Sequence, residues 1–185
     1  MRIRQTLLIL SLIALAGCQG LWTRVDTKSV AYTGDYYAVD LPIGWVRLQQ
    51  KNVMLATRDG IGVQSITFGF REHDEAFEET EQKSTPDMLP SELADRYIAE
   101  LRAADEHGLP SLEVISDRPV KIDGQLGFEL HLQFLNDDGL RYERLVSGLV
   151  NEAGFFVVSY QAPSLHFFER DRATYHEMLK TFKVI

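Results

Sequence analysis

A single thiol is the residue with the clearest potential for chemistry in this sequence. Cys18 is the only cysteine, and the small residues Ala16 and Gly17 come directly before it. Two arginines near the first residue precede an almost unbroken apolar run from Leu7 to Ala16. A transmembrane helix needs about 20 apolar residues, so this run is too short for one. A positive segment, a short apolar run and a small-residue site form the layout of a secretory signal peptide, and we expect residues 1–17 to direct export and to be removed.

The motif Leu15-Ala16-Gly17-Cys18 resembles the lipobox of bacterial lipoproteins. The resemblance implies that the Cys18 thiol receives a diacylglyceryl group and that a peptidase cleaves after Gly17. One acyl chain holds a protein only marginally, but each buried methylene adds about 0.8 kcal/mol, so two or three chains hold it on the membrane. Gln19 stands where lipoproteins of the inner membrane often carry Asp. The resemblance therefore implies a lipid anchor on Cys18 at the outer membrane, with the domain facing the periplasm.

The remaining residues form no constellation that predicts catalysis or metal binding. His176-Glu177-Met178-Leu179-Lys180 begins like the helix motif of zinc proteases, but Lys180 stands where the second His ligand is required. The sequence contains no Gly-x-Ser-x-Gly nucleophile elbow and no phosphate-binding glycine loop. Metal-ligand spacing is missing among the five histidines, which are His73, His107, His131, His166 and His176. We therefore expect no enzyme activity, catalytic residue, cofactor or metal ligand, and we expect His131 to be solvated on the polar side of a strand.

One segment is strongly acidic. It runs from Glu72 to Glu81 without Lys or Arg, and its acidic residues are Glu72, Asp74, Glu75, Glu78, Glu79 and Glu81. Like charges repel, and Ala76 and Phe77 are its main apolar residues, so the pattern predicts an exposed loop or frayed helix outside the core, open to proteases. Binding of a divalent cation is the alternative, because Ca²⁺ takes about six to eight oxygen ligands. The segment lacks the alternating Asp, Asn and Gly of a tight calcium loop, so a solvated charge run is the preferred interpretation.

The composition and net charge of the chain argue against some classes of binding partner. Removal of residues 1–17 leaves 168 of the 185 residues, which suits one domain, and that domain has no cysteine for a disulfide or a thiol catalyst. The full chain carries a net charge of −8, and loss of two arginines with no acids makes it −10. An acidic protein repels phosphate backbones, so we expect no nucleic acid partner, and it binds anionic lipid poorly by charge alone.

The hydrophobic pattern predicts a mainly antiparallel sheet with at least two helices packed on it, an α+β fold. Residues 18–30 are predicted to be a lipidated N-terminus and polar tether, and residues 31–185 a single domain. Apolar spacing predicts helices over Ser91–His107 and about Phe168–Lys183. Asp123-Gly124 is the strongest hairpin signal, and Asn136-Asp137-Asp138-Gly139 is predicted to be another turn rather than a cation site. The other predicted strands are Tyr36–Leu41, Val46–Leu48, Val53–Thr57, Val63–Phe70, Val114–Ile122, Gln125–Leu135, Arg141–Val150 and Phe155–Gln161.

Three stretches together resemble the PsbP-like superfamily, which includes DcrB-like bacterial lipoproteins and the Ran-binding Mog family. They are Leu41-Pro42-Ile43-Gly44-Trp45, the Ile122-Asp123-Gly124 hairpin, and Val158-Ser159-Tyr160-Gln161-Ala162-Pro163 with the following helix that ends Met178-Leu179-Lys180-Thr181-Phe182. The resemblance implies an α/β/α sandwich around an antiparallel sheet. It also implies binding of proteins or stabilisation of complexes, with no catalytic residues to carry over. The acidic segment is not part of the family pattern.

Two functions follow as hypotheses. The first is a membrane-anchored, non-catalytic module that binds or stabilises an envelope protein complex. The alternative is a periplasmic carrier of a small ligand or metal ion, with a pocket between sheet and helix. A pocket lined by converging polar groups would favour the carrier, whereas a flat exposed apolar patch would favour protein binding. Trp45 could anchor a partner, but a buried position at one end of the sheet is the preferred prediction.

Overall fold

A computed structural model describes residues 22–26, 30–50, 52–104, 109 and 111–185 of the chain. Cys18 and the signal segment 1–17 therefore lie outside the described residues. The helices are α1 (Pro90–Ala103) and α2 (Phe167–Thr181), and a short 3₁₀ turn spans His73–Glu75. The strands are β1 (Trp22–Arg24), β2 (Val30–Thr33), β3 (Tyr37–Leu41), β4 (Val46–Gln50), β5 (Val53–Thr57), β6 (Ser65–Arg71), β7 (Glu113–Ile122), β8 (Gln125–Leu135), β9 (Arg141–Asn151), β10 (Gly154–Pro163) and β11 (Lys183–Val184).

An eight-stranded antiparallel sheet is the centre of the fold, in the order β1-β4-β5-β6-β10-β9-β8-β7. A smaller sheet has the order β11-β3-β2. The Asp123-Gly124 prediction is confirmed: φ is +49° at Asp123 and +77° at Gly124, which are the positive values of a tight hairpin turn. The Asn136 turn is also confirmed, since Asn136 Oδ1 accepts a 2.7 Å hydrogen bond from the Leu140 N–H.

The two faces of the large sheet bury separate cores. We call the face that contacts α1 the first face and the face that contacts α2 the second face. Helix α1 packs on β7, β8 and β9 on the first face, where its Tyr97 also contacts Phe155 of β10, and α2 packs on β10 on the second face and on β3 of the smaller sheet. Strand β10 lies inside the sheet and is apolar on both sides, so that Phe155 and Phe156 belong to opposite cores. The fold class is therefore the predicted α+β arrangement. Among the described residues, no helix is both long and apolar enough to cross a bilayer.

The predicted tether is wrong for residues 22–26. Strand β1 pairs antiparallel with β4, so that Trp22 lies opposite Leu48. Val25 follows it into the core with 2% exposure, and the Val25 N–H donates a 2.8 Å hydrogen bond to the Trp45 carbonyl. A three-residue strand is too short to show a hydrophobic period, which is why the sequence pattern missed it.

The acidic segment was predicted to be exposed and outside the core, which is right for its six acids and wrong for Ala76 and Phe77. Ala76 and Phe77 are fully buried under α1, although the acids around them are exposed. Glu100 is buried on α1 and accepts hydrogen bonds of 3.1 Å from the Glu79 and Thr80 N–H groups. The Arg71 guanidinium binds the Ala76 carbonyl at 2.9 Å and lies 3.6 Å from Glu100. Two buried side chains and one buried carboxylate therefore fix this segment to the fold.

Candidate interaction surface

Two adjoining clefts form a groove with apolar and polar lining residues where α1 begins beside the last strands of the large sheet. The cleft of about 280 Å³ is lined by Leu89, Pro90, Ser91, Asp117, Arg118 and Pro119. The second cleft has a volume of about 340 Å³ and shares Leu89 and Pro90 with the first. Its lining residues are Pro86, Met88, Leu89, Pro90, Gln125, Leu126, Val150, Asn151 and Glu152. We call the two clefts together the Leu89 groove. Leu89 is 61% exposed and Leu126 is 64% exposed, so the groove presents large apolar side chains to solvent.

The start of α1 holds Leu89 in place. The Glu92 carboxylate accepts a 3.0 Å hydrogen bond from the Leu89 N–H, which satisfies a donor at the helix end. Pro90 occupies the first helical turn, where its fixed φ suits the helix. Leu93 and Ala94 are buried against the sheet and anchor the helix that carries Leu89. The exposed side chain therefore projects from a rigid element.

Charged groups of both signs border the groove. Burial and the nearby Asp95 carboxylate raise the pKa of Asp117 above its usual value. Arg118 is 58% exposed and binds the buried Glu129 at 2.5 Å, so its charge is paired on one side and open to solvent on the other. An apolar centre with a polar border is the usual composition of a protein-binding surface.

Beneath Arg118 lies a buried polar cluster that sequence reasoning missed. Glu129 belongs to β8 and is 5% exposed, and its second oxygen accepts a 3.4 Å hydrogen bond from the Ser147 hydroxyl. The Tyr175 hydroxyl donates to Ser147 Oγ at 2.6 Å, and burial raises the pKa of Tyr175. His176 Nε2 lies 3.3 Å from the same Glu129 oxygen. Ser147 is fully buried, so this arrangement offers a substrate no access to its hydroxyl.

The sequence pattern placed Glu129 and His131 on the polar side of β8, but α2 covers that side. His131 was predicted to be solvated, and this is wrong. Its Nε2 lies 2.6 Å from a Glu143 oxygen, and its ring stacks on Phe168 of α2 at a centroid distance of 5.2 Å. The alternation of the strand was read correctly, but the helix from the end of the chain converts the polar side into a second interior.

Within the described ranges, no group of three or more His, Cys, Asp or Glu residues could hold a metal ion. Trp45 is buried as predicted, with 2% exposure.

Asp171 on α2 is 1% exposed, which the sequence did not indicate. Its carboxylate binds Arg58 at 3.0 Å and Arg170 at 2.9 Å. Two cations neutralise this buried acid, so its role is structural.

A further cleft lies next to the acidic segment. It has a volume of about 370 Å³ and is lined by Tyr36, Phe70, Glu72, His73, Asp74 and Ala153. Tyr36 and Phe70 stack with ring centroids 3.7 Å apart. Glu72 and Asp74 are exposed, so the cleft opens to solvent and does not enclose a ligand.

Comparison with known proteins identifies the fold. No protein-family model matches the sequence, and no curated protein matches it. The solution structure of cyanobacterial PsbP (CyanoP) from Synechocystis matches with a TM-score of 0.58 at 17% identity, over 91% of this chain and 98% of that one. The Saccharomyces cerevisiae Ran-binding protein Mog1p matches with a TM-score of 0.56 at 14% identity, over 85% and 94% of the two chains. A Pseudomonas aeruginosa protein of unknown function matches with a TM-score of 0.53 at 12% identity, over 84% and 96%. The chain therefore has the PsbP-like fold.

Proposed function

We propose that this protein is a membrane-anchored module of the bacterial envelope that binds a protein partner through the Leu89 groove without catalysing a reaction. The observation that carries the proposal is the exposure of Leu89 and Leu126 on rigid elements beside a polar border. Exposed apolar side chains that line one groove are favourable to bury against a partner, at about 25 cal/mol per Å² of apolar surface. A small-ligand carrier would instead need an enclosed pocket, and the clefts of the groove are open.

The fold and the buried polar clusters are consistent with binding. One structure of similar fold is described as a Ran-binding protein, so this architecture is able to support protein recognition. The polar groups that converge in this chain are paired with one another under α2, where they stabilise the packing of the helix on the sheet. The lipobox resemblance at Cys18 supplies the membrane attachment in this proposal, and Gln19 favours the outer membrane.

Affinity capture from native membranes after mild cross-linking tests the binding function. The tagged full-length chain should enrich a small set of envelope proteins. Tyr175→Phe should retain the same partners, because Tyr175 is fully buried and its hydroxyl binds Ser147 of the polar cluster, outside the Leu89 groove. If Tyr175→Phe abolished the cellular role while partner capture stayed intact, an enzyme or a carrier would replace this proposal.

Replacement of the anchor residue gives a second expected result. Cys18→Ala should incorporate no palmitate during metabolic labelling and should leave the precursor uncleaved by the lipoprotein peptidase, because the thiol that accepts the lipid is absent. Wild-type protein labelled in parallel is the control. Palmitate incorporation equal to wild type in Cys18→Ala would contradict the anchor.

A further inference from the structure

Helix α1 leaves half of the first face of the large sheet uncovered. Residues opposite one another in antiparallel strands share a face, so the register places Trp22 beside Leu48 and Leu48 beside Leu55 in one row. Trp22 is 40% exposed, and Leu48 and Leu55 are partly exposed. Val53 lies on the same face and is 41% exposed. We call these four residues the Trp22 row.

The charge of this half of the sheet differs from that of the whole protein. The chain has 27 acidic and 19 basic residues, but β1, β4, β5 and β6 contain no Asp or Glu. The same strands contain Arg24, Arg47 and Arg71. Arg24 lies on the face of the Trp22 row and 3.9 Å from Asp26, whereas Arg47 lies on the opposite face and Arg71 is paired with Glu100. A row of Trp and aliphatic residues on strands without acids matches the chemistry of a membrane interface, where Trp is enriched.

The short segment between Cys18 and Trp22 keeps this surface close to the bilayer. Three residues separate Cys18 from Trp22, so a lipid on Cys18 keeps β1 within about 14 Å of the membrane even when those residues are fully extended. The predicted tether was much longer, and the pairing of β1 with β4 shortens it. Strand β7 forms the opposite edge of the eight-stranded sheet. At roughly 4.8 Å between strands, the Leu89 groove lies roughly 34 Å across the sheet from β1.

We propose that the Trp22 row rests on the membrane surface and holds the β1 edge of the sheet at the bilayer, with the Leu89 groove near the opposite edge. This inference depends on the lipid anchor in the proposed function and adds the orientation of the domain. The acyl chains confine the domain to the bilayer, so a weak contact by the row is enough to select one orientation. The partner in the groove then binds near the edge of the sheet that is farther from the bilayer.

Tryptophan quenching measures this orientation. The full-length precursor is expressed in its native envelope, and the processed protein is purified and reconstituted into vesicles of phosphatidylcholine and phosphatidylglycerol. The lipids are brominated near the headgroup. Trp22 should lose roughly half of its emission relative to unbrominated vesicles, because interfacial Trp lies at headgroup depth. Trp22→Phe leaves Trp45, which is 2% exposed in the core and should not be quenched. Trp22→Phe/Leu89→Trp moves the probe to the opposite edge, where quenching should also be absent.

Vesicle flotation separates this inference from the function on which it depends. Protein that fails to float with the vesicles would contradict the lipid anchor, and the orientation would fall with it. Protein that floats but shows equal quenching at positions 22 and 89, or none at position 22, would contradict the orientation alone. The latter result would mean that another protein or a second copy covers the Trp22 row.

Discussion

Phe77→Ala should lower the free energy of unfolding by about 3–5 kcal/mol, the usual cost of truncating a buried Phe. Phe77 is fully buried in the core under α1, and its ring packs 5.4 Å from that of Phe155. Chemical denaturation followed by circular dichroism measures the change. Leu89→Ala is the matched control, because Leu89 is 61% exposed and its truncation should change stability by less than about 0.5 kcal/mol.

The same variant tests whether the acidic segment is fixed to the fold. Limited proteolysis of the native protein should spare residues 72–86, whereas Phe77→Ala should be cut there first, because loss of the ring removes its main apolar anchor. Glu100→Ala should have the same direction of effect, since Glu100 accepts the N–H groups of Glu79 and Thr80. Wild-type cleavage within the segment before any other site would restore the interpretation as an exposed loop.

The sequence predicted most of the architecture because long strands and helices repeat a period. Strands Val53–Thr57 and Gln125–Leu135 were predicted with the bounds they have, and the two helices were each displaced by a few residues. Periodicity could not detect β1, which has three residues, or the role of Ala76 and Phe77, which lie adjacent within a run of acids. Charge composition described the surface of that run but gave no information about its contacts.

The candidate surface was less predictable than the fold. The Leu89 groove combines residues 86–91 at the start of α1 with residues of the β7–β8 hairpin and with residues 150–152 at the end of β9, so no local motif marks it. The buried acids were missed for a related reason: the alternation of β8 placed Glu129 on a polar side, and only the packing of α2 shows that this side is interior. Only the lipobox resemblance at Cys18 named a site residue from the sequence, and the described residues do not include it.

The central claim is that the protein binds its partner through the Leu89 groove. The most direct test is whether altering this groove reduces partner capture. Leu89→Asp/Leu126→Asp places two carboxylates in the centre of the groove without disturbing a buried side chain. Replacing an apolar anchor of an interface by an unpaired charge should weaken the free energy of binding by at least about 2 kcal/mol, which is roughly a thirtyfold loss of affinity. The matched control is Leu140→Asp/Leu165→Asp, which changes two leucines that are 47% and 83% exposed outside the groove.

Quantitative affinity capture from native membranes compares the two double variants at equal expression and equal stability. We predict that Leu89→Asp/Leu126→Asp loses at least about nine tenths of the captured partner, in line with the expected affinity change, and that Leu140→Asp/Leu165→Asp captures as much as wild type. Equal capture by both variants would contradict binding through the Leu89 groove.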